Sequence, residues 1–84
     1  MFDKEITKQM IDNARADVIK TDGPEFREPV YTLKSRKNWS FNSENDAVIA
    51  HIVDDIVGLK TAAHLMKRDR EKLEKRIKKA MQEA

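Results

Sequence analysis

The segment IAHIVDDIVGLKTAAHLMKRDREKLEKRIKKA, residues 49–80, carries apolar residues at alternating spacings of three and four. The repeat starts at Ile49, has one polar interruption at Arg70, and reaches Ala80. Spacing of this kind, kept for more than four heptads, is typical of the a and d positions of a coiled coil. The positions between its ends are Ile52, Ile56, Leu59, Ala63, Met66, Leu73 and Ile77.

The apolar surface around this repeat is wide before residue 67 and narrow after it. Val48, Val53 and Val57 flank the repeat in the first half, which favours packing in a helical bundle. The second half keeps only the narrow seam of a two-stranded coil. We therefore predict one helix over residues 43–82, about 60 Å long, capped by Ser43 and weakened only at Gly58.

A second amphipathic pattern lies at the start of the chain. Apolar residues recur every four positions from Phe2 to Val18, which predicts a helix over residues 3–20 with Asp3 as its N-cap. Gly23 and Pro24 follow it as a stop signal. Residues 21–41 are predicted to form an ordered connector, with a possible short strand at residues 30–33.

The small size of the chain favours stabilisation by association with another chain. It has 84 residues and no cysteine, so a small core must be stabilised without disulfides or thiolate metal sites. We predict an all-α coiled-coil or bundle homo-oligomer, most simply a homodimer, with helix orientation left open. The predicted oligomer interface consists of Ile49, Ile52, Ile56, Leu59, Ala63, Met66, Leu73 and Ile77.

Aromatic residues in the connector are the candidate partner-binding residues. An exposed tryptophan is often the anchor of a protein interface. The predicted partner-binding set is Tyr31, Trp39 and Phe41. The same residues allow an alternative in which an oligomer binds a small ligand in a pocket at the subunit interface.

Basic residues form two local zones and support a nucleic-acid-binding alternative. Residues 34–41 hold three basic residues and no acidic one, and residues 67–84 hold eight basic and four acidic residues. Basic residues beside aromatics can hold single strands, and a basic helix face can follow phosphates. The candidates are Lys34, Arg36, Lys37, Arg68, Lys72, Lys75 and Lys79.

Signatures of catalysis are lacking in the sequence. The two glycines form no phosphate-binding loop, and no serine lies in a recognisable nucleophile motif. His51 and Asp55, four residues apart, offer only two metal ligands, so we predict no metal and no cofactor. The charged N-terminal stretch and the short apolar runs favour a cytoplasmic protein without a membrane segment. We expect a non-catalytic adaptor, inhibitor or regulator that binds a protein partner.

Overall fold

The computed structural model describes residues 5–25 and 27–84, with every side chain in those ranges except Lys37 and Leu59. Within these residues the chain forms four helices and a three-stranded antiparallel sheet that packs against the second of the helices. The all-α prediction is therefore wrong, and so is the coiled coil. The elements in chain order are α1 Lys8–Asp17, β1 Val18–Thr21, β2 Val30–Leu33, β3 Arg36–Phe41, α2 Glu44–Val57, α3 Leu59–His64 and α4 Lys67–Glu83.

The first helix is shorter than predicted at both ends. Its N-cap is Thr7, whose side chain accepts a hydrogen bond from the Met10 amide, while the predicted cap Asp3 lies outside the described residues. The chain leaves the helix at Val18 because β-branched Val18 and Ile19 join a strand and pair with Leu33 and Thr32. Val18 continues the four-residue repeat of the helix, but pairing with a distant strand determines the conformation of both residues.

The predicted connector contains most of the sheet. β2 spans the same four residues as the possible strand at 30–33, and a tight turn at Lys34 and Ser35 leads into β3. The sheet order is β1-β2-β3, so β3 lies at one edge. The Lys34 amide donates a hydrogen bond to the carbonyl of Asp17, which ties the turn to the end of α1.

The predicted long helix is broken at two places. Gly58 has φ 78° and ψ 151°, a conformation open mainly to glycine, and it ends α2. Leu65 and Met66 are extended and separate α3 from α4. Ser43 does cap α2, because its hydroxyl accepts a hydrogen bond from the Asp46 amide at 3.1 Å.

The breaks let one chain bury its own hydrophobic surfaces. Leu73, Ile77 and Met81 of α4 pack in the same core as Ile11 and Ala14 of α1. Each large side chain buried there contributes about 1.5–3 kcal/mol of transfer free energy. Arg15 also donates a hydrogen bond to the Met81 carbonyl and so satisfies one group at the end of α4.

The residues of the predicted oligomer interface are therefore divided. Ile49, Ile52, Leu73 and Ile77 lie in the core of this chain, and Ile56 packs against that core. Ala63 and Met66 are exposed, Met66 by 74%, and the Leu59 side chain is outside the described set. The seam of a coiled coil is not formed by this fold, and homo-oligomerisation itself stays a prediction.

Candidate functional site

A groove of about 610 Å³ lies between β3, α2 and α4. Its floor is formed by apolar side chains of α2 and α3, and its walls carry aromatic residues on the β3 side and charged residues on the α4 side. We call this surface the groove. Its lining comprises Asn38, Trp39, Ser40, Phe41, Asp46, Ile49, Ala50, Val53, Asp54, Ala62, Arg70, Glu74 and Lys78.

The helical spacing of the lining residues explains the shape of the groove. On α2 the lining residues run from Asp46 to Asp54, and on α4 they run from Arg70 to Lys78. Eight residues of helix correspond to about 12 Å along each axis. The groove is thus a trough roughly two helical turns long.

The aromatic wall depends on an irregular strand. Between the Thr32–Ser40 pair and the Leu33–Arg36 pair, β3 holds three more residues than β2. Bulges of this kind change the direction of side chains. Here Trp39 lies within the bulge and stands edge-to-face against Phe41, with ring centroids 6.3 Å apart and planes at 82°.

Arg36 contacts the aromatic wall through the Trp39 ring. Its Cζ atom lies 5.9 Å from the Trp39 ring centroid, within the range of a cation–π interaction. Its Nε lies 2.7 Å from Asp54 Oδ2, and one terminal nitrogen lies 3.0 Å from Asp55 Oδ1. The guanidinium is thereby fixed between β3 and α2.

Arg36 belongs to a larger set of polar side chains at the junction of α1, the β2–β3 turn and α2. We call this set the charged cluster. The His51 ring lies between two carboxylates, with Nε2 at 3.4 Å from Asp17 and Nδ1 at 2.9 Å from Asp55. The members are Asp17, Ser35, Arg36, His51, Asp54 and Asp55.

The two ring contacts of His51 are of electrostatic character. Nδ1 is buried and makes no hydrogen bond of good geometry to a described residue, although Asp55 Oδ2 is at 2.9 Å. The 2.9 Å distance between Nδ1 and Asp55 Oδ2 therefore reflects an electrostatic contact and not an aligned hydrogen bond.

The surroundings of Asp17 in the charged cluster shift the pKa of its carboxyl group. Burial raises its pKa, but hydrogen bonds from the Ser35 hydroxyl and amide and the charges of His51 and Arg36 outweigh burial. The pKa of Asp17 is therefore lowered from its ordinary value of 3.8.

Two side-chain hydrogen bonds hold the Ser35 hydroxyl within the charged cluster. The Ser35 hydroxyl donates its hydrogen bond to Asp17, and the Arg36 guanidinium donates to the Ser35 oxygen at 2.9 Å. Within residues 5–25 and 27–84, no group of three or more His, Asp or Glu side chains could hold a metal ion.

The predicted partner-binding residues are partly brought together. Trp39 and Phe41 both line the groove. Tyr31 is opposite Phe41 in the sheet but does not line the groove. No sequence pattern selects Ala50 or Val53 as groove residues, because their role depends on α4 folding back beside α2.

The predicted nucleic-acid residues lie in different environments. Arg36 is bound by carboxylates, Lys34 is exposed on the turn, and the Lys37 side chain is outside the described set. The four predicted nucleic-acid residues of the second zone are all exposed on α4, namely Arg68, Lys72, Lys75 and Lys79.

Sequence reasoning misses most of the charged cluster. The four-residue spacing of His51 and Asp55 is visible, but Asp17 and Ser35 are far from them in sequence and carry no local signal. The sequence alone places Arg36 in a free basic zone because its acidic partners lie 18 and 19 residues away.

Comparisons with protein-family models, with curated proteins and with solved structures found no match to this chain. Across the described residues, no helix is both long and apolar enough to cross a membrane. The features of the described residues that bear on function are the groove, the charged cluster and the exposed surfaces.

Proposed function

We propose that this protein is a non-catalytic interaction module whose groove binds an amphipathic segment of a partner protein. The observation that carries the proposal is the groove itself, with an apolar floor and an aromatic wall inside a chain of only 84 residues. Aromatic anchors in concave apolar surfaces are typical of protein recognition sites.

The charges around the groove favour an amphipathic occupant. Two of the acidic lining residues are neutralised within the chain, Asp54 by Arg36 at 2.7 Å and Glu74 by Arg70 at 3.2 Å. In the described part of the chain, Asp46 and Lys78 have no ion-pair partner, and they lie on different helices. A segment with apolar side chains on one face and both signs of charge on the other complements this arrangement.

The charged cluster supports the proposal by making the wall rigid. Arg36 is held by Asp54 and Asp55 and in turn contacts the Trp39 ring. A preorganised wall loses less conformational entropy when a partner binds. The charged cluster is therefore assigned a positioning role in binding.

The single tryptophan gives a direct test. A library of random 12-residue peptides displayed on phage is selected against the full chain, and the enriched peptides are synthesised and titrated. Binding in the groove is expected to shift Trp39 emission, because the ring leaves water as the peptide covers it.

A matched pair of variants locates the binding site. Ala50→Arg places a long side chain on the groove floor, while Ala63→Arg makes the same change at an exposed position outside the groove. The first variant is expected to weaken peptide affinity by about tenfold or more, equal to about 1.4 kcal/mol, and the second to leave it unchanged. Equal affinity in both variants, or no enriched peptide, contradicts the proposal.

The same pair tests the small-ligand alternative. The groove volume lies within the range of ligand pockets, about 300–1,000 Å³. Screening a library of aromatic fragments by Trp39 emission provides the comparison. If fragments bind in a manner abolished by Ala50→Arg while no peptide is enriched, the groove is a small-molecule site and the peptide-binding proposal is wrong.

A further inference from the structure

The outward surface of α4 is a second candidate binding surface, separate from the groove. We call Arg68, Lys72, Lys75 and Lys79 the basic face. All four side chains are exposed, and within the described residues none of them has an ion-pair partner. We propose that the basic face binds the phosphate backbone of a nucleic-acid duplex.

The position of the basic face follows from helix geometry. With 3.6 residues per turn, the four residues fall within about 60° of arc, centred opposite Ile77. Ile77 is fully buried, and Leu73 and Met81 anchor the helix on either side of it. The basic side chains therefore extend from a helix fixed to the core along its opposite face.

The groove and the basic face use different residues of α4. Arg70, Glu74 and Lys78 line the groove, and none of them belongs to the basic face. A duplex on the basic face therefore leaves the groove free for a protein segment. The inference does not rest on the groove proposal, and either can fail without the other.

The charge distribution of the molecule favours an anionic partner on this side. Glu44–Val57 contains four acidic residues and no lysine or arginine, whereas Lys67–Glu83 contains eight basic and four acidic residues. Such a separation of charge orients the molecule during encounter with a polyanion. The structure also excludes Arg36 of the first basic zone as a phosphate ligand, since Asp54 and Asp55 hold its guanidinium.

The length of the basic face matches a run of phosphates. Arg68 and Lys79 are 11 positions apart, which is about 16 Å along the helix axis. Phosphates of one strand of B-DNA rise by about 3.4 Å each. Four side chains spaced over this distance can each reach a phosphate without bending the helix.

The test is the salt dependence of binding to a fluorescent 24-base-pair DNA duplex, measured by anisotropy with the full chain. Four phosphate contacts give a slope of about −3.6 in log affinity against log salt, equal to about a 150-fold loss between about 50 and about 200 mM NaCl. The Lys72→Gln, Lys75→Gln double variant is expected to have a shallower slope of about −1.8. Its affinity should then fall only about twelvefold over the same salt range.

A second double variant serves as the matched control. Lys8→Gln with Lys60→Gln removes the same charge from exposed positions outside the basic face and is expected to keep the wild-type slope. The proposal is overturned by equal effects of the two pairs, or by no duplex binding at ~100 µM protein in ~50 mM salt, where non-specific duplex binders associate.

Two further probes separate other anionic partners. An RNA duplex bound with a similar loss in the Lys72, Lys75 variant supports recognition of the phosphate backbone shared by both duplexes. Vesicles containing phosphatidylserine present anionic headgroups without a helical backbone. Binding to such vesicles together with no binding to either duplex overturns the proposal in favour of a membrane surface.

Discussion

Arg36 Nε and Asp54 Oδ2 are 2.7 Å apart, and this ion pair joins the edge strand β3 to helix α2 beside the groove. The side chains of Arg36 and Asp54 are about four-fifths buried, at 20% and 23% exposure. Because Arg36 also reaches Asp55 and the Trp39 ring, one side chain connects the charged cluster to the aromatic wall of the groove.

Removal of this arginine is expected to destabilise the protein. Arg36→Met keeps much of the side-chain length but leaves Asp54 and Asp55 without their counter-ion, at a cost of about 2–3 kcal/mol. Urea unfolding measures the change. Arg68→Met, at an exposed position with no ion-pair partner among the described residues, is the control and is expected to change stability by less than about 0.5 kcal/mol. Equal losses in the two variants contradict this account of the charged cluster.

Asp17 is expected to make the stability of the protein depend on pH in the acid range. Its pKa is lowered in the folded state, so the carboxylate binds a proton more weakly there than in the unfolded chain. Its contribution is present above the ordinary pKa of 3.8 and is lost as pH falls through the lower folded-state pKa. The stability difference between wild type and Asp17→Asn should therefore shrink on acidification.

Urea midpoints measured from about pH 6 to about pH 2 check this expectation. Asp12→Asn, at an exposed position on α1, provides the control for loss of one carboxylate. A stability difference between wild type and Asp17→Asn that stays constant over this range is the result that contradicts it.

Gly58 distinguishes the folded-back structure from the continuous helix that the heptad pattern predicts. In a helix interior, Gly58→Ala stabilises by about 1 kcal/mol. With φ 78° and ψ 151°, the same change is expected to destabilise by about 1–3 kcal/mol. A methyl group added at Gly58 meets no atom within 4 Å, so the cost is one of backbone conformation alone.

The control for Gly58 is Gly23→Ala. The nearest atom to the added Cβ is the flexible Glu25 side chain at 3.0 Å, so only a small loss is expected. Thermal or urea unfolding of both variants shows directly whether each change raises or lowers the free energy of unfolding. Stabilisation by Gly58→Ala contradicts the break between α2 and α3.

Local signals in the sequence are informative where the determining contact is local. Ser43 is identifiable as a helix cap because its partner is three residues away. Residues 30–33 are identifiable as extended from β propensity. By contrast, the break between α3 and α4 falls at Leu65 and Met66, where there is no glycine or proline. This break depends on how α4 packs against α1 and α2.

The heptad pattern misleads for a related reason. A strict seven-residue repeat drifts from an ideal helix by only about 20° per heptad. Over short helices such as α2 and α4, a coiled-coil seam and an ordinary core-facing stripe therefore predict the same buried residues. Ile49 and Ile77 are buried in both interpretations, whereas the exposed Ala63 and Met66 between them separate the two.

Ile77 and Met66 provide the corresponding test. Both lie on the predicted seam, so an intermolecular coiled coil requires both side chains. In this structure Ile77 is fully buried and Met66 is 74% exposed. Ile77→Ala is expected to cost about 2–5 kcal/mol in unfolding free energy because it leaves a cavity, and Met66→Ala less than about 0.5 kcal/mol.

Urea unfolding combined with light scattering at two protein concentrations separates core packing from association. Loss of stability in Ile77→Ala at constant molar mass is the expected result, because the residue packs within its own chain. A comparable loss in Met66→Ala, accompanied by a fall in molar mass, contradicts the burial pattern. It would indicate that the seam joins two chains, since an exposed side chain contributes to stability only when a partner covers it.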